Sequence, residues 1–422
     1  VGADVDVAVV GAGVAGLATA RALRAAGRSV HVFEDRDDVG GRMATARAGG
    51  AVLDLGAEML SDTGYSATWR LLRDLGLGAD DAPPIGRDIA VWRGGAVHPH
   101  LGERRGRGLS VLGRGVAAAL LRRDRDVEAP DADDRALAEV GTREVRDYLL
   151  QPLAGGFFGW DVGEACAAPM LAHLRAVGSP SRYRTYRGGM DTVVRRLAAG
   201  LDVSTGVPVR AVTTTRTGAR VVTDAATLTA RQVVLAVPAP QAAALHPDAP
   251  DYVHACEFRP MVKVVCVLGE PLRFPTESFA LAVPAVEDPT VAGVSLDHLR
   301  CPDRAPEGTG VVTLVASEAA RWLDADDACV VKALTLAGER YLPGLRAALR
   351  TAVVARWRHG LPMPTPAALA LRPAFAGRPL SAVDYAGDWY FARPCSEAAV
   401  RSAEVVAARV LDRAGALSGS PS

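Results

Sequence analysis

Three groups of residues in this chain could do chemistry. Gly11, Gly13 and Gly16 form a G-x-G-x-x-G turn, Glu34 stands eighteen residues after its last glycine, and Gly40, Gly41 and Arg42 follow within the stretch VFEDRDDVGGRM. Far downstream, Lys263 lies in the apolar run FRPMVKVVCVL. The first glycine permits a tight turn, the second lets backbone approach a pyrophosphate, and the third lets a helix pack closely on a strand. A helix starting there offers free N–H groups and about half a positive charge to phosphates. A carboxylate at the end of the next strand accepts hydrogen bonds from a ribose. A simple nicotinamide domain has no need of a second glycine turn with a guanidinium just after that acid. A dinucleotide that lies extended, with its second half deep in the protein, does need one.

The elements that position these residues are legible around them. Val7 to Val10 read as a buried strand, Val14 to Ala26 as a helix ended by Gly27, and Ser29 to Phe33 as a second strand that delivers Glu34. Val207–Thr215, Arg220–Thr223 and Thr227–Val237 read as further strands separated by the turns TRTG and DAA, and RQVVLAVPAP reads as a buried parallel strand completing the central sheet. LSVLGRGVAAALL, residues 109 to 121, imitates a second dinucleotide turn at Gly113, Gly115 and Ala118. The strand ending in an acid that should follow it is poor, so it is expected to be a helix in another domain, which argues against a second nucleotide site. The charge run RRDRDVEAPDADDRALAE is expected to be a solvated loop and helix face.

Composition sets outer bounds. The chain has 422 residues, 49% of them hydrophobic, enough to bury two domains. A formal net charge of zero gives no electrostatic footprint for nucleic acid or an anionic membrane. Lysine occurs only at Lys263 and Lys332. The six cysteines form no C-x-x-C pair, which favours reduced thiols and a cytoplasmic setting. The first strand begins within a few residues of Val1, so no signal peptide is expected. No apolar run approaches ~18 residues, so no transmembrane helix is expected either. His98 and His100 form H-x-H without a third ligand in view, so no metal is expected.

The run GAGVAGLATARALRAAGRSVHVFEDRDDVGGRM resembles the FAD-binding N-terminus of the flavin amine oxidase and protoporphyrinogen oxidase superfamily. Three later stretches support the resemblance: YRGGMDTVVRRLAAG is similar to the helix that re-enters the flavin domain, RWRHGLP to a W-x-x-x-x-P element, and YAGDWYFARPCSEAAV to the closing motif. Flavin hydroxylases and halogenases lack GGR after the ribose acid, and the W-x-W-x-I-P stretch of halogenases is absent here. The resemblance implies an α/β fold, with a Rossmann-like FAD-binding domain over residues 1–77, 186–255 and 366–422 and an α+β substrate domain over 78–185 and 256–365. By the same resemblance Glu34 and Arg36 hold the adenosine, and Val209 contacts adenine through its backbone. Gly40, Gly41 and Arg42 hold the pyrophosphate and ribityl region together with Gly387 and Asp388. Ala398 and Ala399 offer N–H groups at the start of a helix, capped by Ser396, to the pyrimidine edge of the ring. Ala398 departs from the family's usual glycine. Where the family can attach its flavin through a cysteine this sequence has Pro and Ala, so FAD is expected to be noncovalent.

For catalysis the resemblance singles out Lys263, whose counterpart in amine oxidases reaches the flavin through a water. The competing reading is an edge-strand lysine whose ammonium snorkels to solvent. Candidates for the substrate pocket are Glu58, Met59, Trp357, Trp389, Tyr390 and Cys395, with Cys395 standing where one of the paired aromatics of monoamine oxidases would be. The implied activity is oxidation of a C–N bond in an amine-type substrate with O2 as electron acceptor, giving imine and H2O2. Two alternatives stay open: a C–C dehydrogenase of the porphyrinogen oxidase or desaturase type, and a noncatalytic flavin-binding scaffold.

Overall fold

The computed structural model describes residues 3–101, 103, 106–122 and 135–418. The glycine turn joins β1 (Val5–Val10) to α1 (Val14–Ala25), and β2 (Val30–Phe33) follows. β1 runs parallel to β2 on one side and to the strand Thr227–Leu235 on the other. With both faces covered, it can be the unbroken apolar run VAVV. Asp202–Ser204 extends the sheet beyond β2, while Ala219–Thr223 and Val209–Thr214 add an antiparallel meander on the opposite flank. Thr227–Leu235 does not complete the sheet, because Val383–Tyr385 pairs parallel to it. The closing helix α2 (Ser396–Ser418) then packs on α1.

The second sheet has seven strands, and β3 (Glu257–Leu268) lies in its interior between Gly310–Ala316 and β4 (Leu349–Met363). Lys263 therefore does not sit on an edge strand, and the solvent-reaching reading of it falls. The strands of the first sheet all come from residues 1–77, 186–255 and 366–422, and those of the second from 78–185 and 256–365. The short pair Leu60–Ser61 with Tyr183–Arg184 crosses that division, and so does the packing of one hairpin. The hairpin Thr45–Ala48 with Ala51–Asp54 buries Ala51 and Leu53 against Val265, Val267 and Val311 of the second sheet. Residues 111–120 form a helix whose cap Ser110 accepts from the Gly113 N–H, so the imitation dinucleotide turn is the start of a helix. Most of the charge run at 122–139 lies outside the described residues; Leu137–Glu139 is a short helical turn.

Candidate active site

Gly11 has φ +103°, and a Cβ there would lie 2.8 Å from the Ala236 carbonyl oxygen. A Cβ on Gly16 would fall 2.0 Å from the Gly11 carbonyl oxygen, so Gly16 serves helix packing and does not face the cavity. Gly13 is different: a Cβ built on it meets nothing within 4 Å. It opens onto a cavity of about 670 Å³ that also receives Gly11, Glu34, Arg36, Gly40, Gly41, Arg42, Glu58, Met59, Val209, Lys263, Trp357, Gly387, Asp388, Cys395 and Ala399. Residues spread over nearly 390 positions of sequence thus share one wall.

Glu34 is buried, and its carboxylate accepts from the N–H groups of Ala12 (2.7 Å) and Arg36 (3.2 Å). Burial, reinforced by Asp35 beside it, pushes its pKa up to about 7. Arg36 does not close on Glu34 through its guanidinium, which stacks 4.4 Å from the Trp357 ring centroid. The Trp357 indole N–H donates to the Leu55 carbonyl at 2.8 Å. Arg42 makes a bidentate pair with Asp388, both contacts at 2.8 Å, and a third bond to the Gly360 carbonyl. The pair ties the second glycine turn to the closing motif.

Lys263 is only 6% exposed. Its ammonium donates to the Gly56 carbonyl at 2.7 Å and to Glu58. Glu58 also meets Arg300 at 2.8 Å, Arg300 meets Asp54 and Asp297, and Arg304 meets Asp54 at 2.9 Å. Three cations and three carboxylates therefore form one buried, charge-balanced network behind the cavity wall. Burial opposes the charge on Glu58, but Lys263, then Arg300 and Arg304, outweigh it and hold the carboxyl below its ordinary range. Asp297 is raised, chiefly by its burial. The sequence marked Lys263 and Glu58 as candidates but gave no sign of Arg300, Arg304, Asp54 or Asp297. Their partners lie as far as 250 positions away, Arg304 from Asp54, and no local pattern announces such pairs.

Two expectations fail at the closing motif. Trp389 and Tyr390 do not line the cavity. The Trp389 ring folds back over Gly387 and donates to the Val237 carbonyl (3.2 Å), packing with Tyr252 and Phe375, while Tyr390 packs on Phe375. At the start of α2, Cys395 stands in the capping position and Ser396 is the first helical residue. The Cys395 carbonyl takes the Ala399 N–H at 3.2 Å. Ala399 lines the cavity, whereas buried Ala398 is absent from its wall. His98 and His100 are held by the Arg93 carbonyl and by Asp88, and no His, Cys, Asp and Glu cluster suited to a metal occurs among the described residues.

A protein of Mycobacterium tuberculosis provisionally named flavin-containing monoamine oxidase AofH is 46% identical over 92 residues, 22% of this chain and 20% of the relative. The chain thus matches about a fifth of that relative's length. Cyclohexylamine oxidase from Brevibacterium oxydans superposes with a TM-score of 0.78 at 20% identity, covering 98% of this chain and all of the other. A fatty acid isomerase from P. acnes superposes with a TM-score of 0.74 at 18% identity, covering 97% and 99%. Those two likenesses establish the fold. The sequence model for flavin-containing amine oxidoreductases matches residues 14–411, nearly the whole chain, and the protein belongs to that family.

Proposed function

We propose that the chain is an FAD-dependent oxidase that takes a hydride from the carbon of a C–N bond in an amine and passes the electrons to O2, giving an imine and H2O2. The observation that carries this reading is the buried Lys263 ammonium, fixed by Glu58 and Gly56 in the wall of a cavity whose other end holds the glycine turn and Glu34. The residues fit noncovalent FAD: Glu34 would take the ribose, Val209 the adenine, and the backbone of Gly11, Gly13, Gly40 and Gly41 the pyrophosphate, with Gly387 and Asp388 beyond. When bound, the flavin supplies the electron acceptor for substrate and the donor to O2.

The protein's own share is positioning and electrostatics. Arg42 holds Asp388 rigid. Lys263 keeps a fixed positive charge where electron density arrives, and this costs no reorganisation because Glu58 and Arg300 already define its position. Apolar side chains of Met59, Leu153, Phe157, Phe158 and Leu281 exclude water from the rest of the cavity. No two of the six cysteines form a disulfide, which supports a cytoplasmic location within this reading. No helix among the described residues is long and apolar enough to cross a membrane.

The test is anaerobic bleaching of the purified yellow protein by cyclohexylamine, benzylamine and a porphyrinogen, followed by readmission of air and peroxidase-coupled detection of H2O2. Bleaching by an amine with stoichiometric H2O2 supports the proposal. Bleaching by the porphyrinogen alone would move the reaction to C–C bonds, and no bleaching would leave a flavin-binding scaffold.

A further inference from the structure

The cavity wall carries four acids, and none of them is placed to meet a second positive charge on a substrate. Glu34 and Asp35 sit at the glycine-turn end, Asp388 is paired with Arg42, and Glu58 is paired with Lys263 and Arg300. Another part of the same wall is built from neutral donors. His173 is 8% exposed, and its Nδ1 accepts from Arg393 Nε at 3.0 Å. That bond fixes the tautomer, so Nε2 carries the hydrogen. Burial and the adjacent Arg393 also hold His173 neutral. The Phe158 ring meets its edge at 5.3 Å, which leaves the imidazole little freedom to turn. Tyr183, opposite Ser61 in a short strand pair, also faces the cavity, as does the buried Tyr65. Among the described residues no protein acceptor is found for His173 Nε2 or for the Tyr183 hydroxyl.

We propose that His173 and Tyr183, backed by Tyr65 and Arg393, form a second recognition subsite that donates hydrogen bonds to an uncharged oxygen of the substrate, a hydroxyl, ether or carbonyl remote from the reacting carbon. The subsite discriminates against a substrate with a second ammonium, because Arg393 supplies positive potential and the four acids of the cavity wall are either paired or at the glycine-turn end. This deepens the oxidase reading by naming what the far end of the substrate carries, and it holds for either a C–N or a C–C reaction.

The test is titration of the flavin-loaded protein with matched probes, followed by the change in flavin absorbance. The pairs are 4-ethylphenol against ethylbenzene, and octylamine against 1,8-diaminooctane. The phenol is expected to bind roughly tenfold more tightly than its hydrocarbon, as for one added buried hydrogen bond, and octylamine more tightly than the diamine. His173→Leu and Tyr183→Phe should each remove most of the phenol preference while flavin content stays unchanged. If His173→Leu loses flavin, Tyr183→Phe alone decides, since it deletes one hydroxyl without changing ring packing. Equal affinity for phenol and hydrocarbon, a preference that survives both variants, or tighter binding of the diamine would each overturn the subsite. Failure of amines to bleach the flavin would sink the C–N reading and leave the phenol result standing.

Discussion

Lys263 is held by one carboxylate and one carbonyl, and Glu58 keeps Arg300 as a second partner. Lys263→Met is therefore expected to retain flavin and to slow at least one half-reaction roughly tenfold or more in stopped-flow traces, about 1.4 kcal/mol of transition-state stabilisation. It should also lower the melting temperature, because a buried carboxylate loses a neighbouring cation. Adding Glu58→Gln should recover the melting temperature without recovering the rate, separating chemistry from stability. Glu34 gives a pH prediction. Its pKa is raised in the folded protein to about 7, chiefly by burial, so protonation is favoured below that pH. A ribose hydroxyl donates to the ionised form, so FAD binding releases a proton. Affinity of the flavin-free protein for FAD, measured by fluorescence quenching, should be on the order of tenfold weaker at pH 6 than at pH 8. Glu34→Gln should flatten that dependence. The same raised pKa makes Glu34 favour the flavin-free fold most below its unfolded value, a contribution lost as pH rises towards 7. Glu34 and Lys263 were visible in the sequence as an acid at a strand end and a lysine among apolar residues. Their contacts were not, since Ala12 meets Glu34, and Gly56 meets Lys263, only through the tertiary fold.

At the scale of elements, the helix Ser66–Asp74 has no capping side chain of its own. Its first turn is satisfied by Glu397, buried at the start of α2, which accepts from the N–H groups of Ala67 (3.0 Å) and Thr68 (2.8 Å). A carboxylate there also meets the positive end of the helix. Glu397→Ala should cost about 1.5–3 kcal/mol, the range for a hydrogen bond to a charged group, read as a lower thermal midpoint with flavin bound. The closing helix was legible in the sequence, yet the cap it lends to Ser66–Asp74 was not. The pattern rules for caps look three residues ahead, and here the capping residue is 330 positions away. The turn after Gly387 shows the opposite failure. Trp389 and Tyr390 looked available in sequence, but a short helical turn carries them into the aromatic cluster of Tyr252 and Phe375.

Across the whole molecule, the cavity is walled by both sheets, so bound flavin is expected to stabilise them together. Removing FAD should lower the thermal midpoint, and restoring it at about a thousand times its Kd should return about 4 kcal/mol, measured by a calorimetric scan with and without cofactor. The alternation of segments between the two sheets was readable because each return to the first sheet carries its own motif. That the hairpin at residues 45–54 packs on the second sheet was not legible, because its apolar residues say that they are buried, not against which sheet. The late pairing of Val383–Tyr385 with Thr227–Leu235 has a consequence for synthesis. The ribosome must add roughly 150 more residues after the first strand of that pair, about 7–30 s at ordinary elongation rates. Through that interval the nascent chain presents an uncovered apolar strand edge, a natural target for a holding chaperone, and chains stalled before residue 380 should aggregate where chains extended through the closing helix do not.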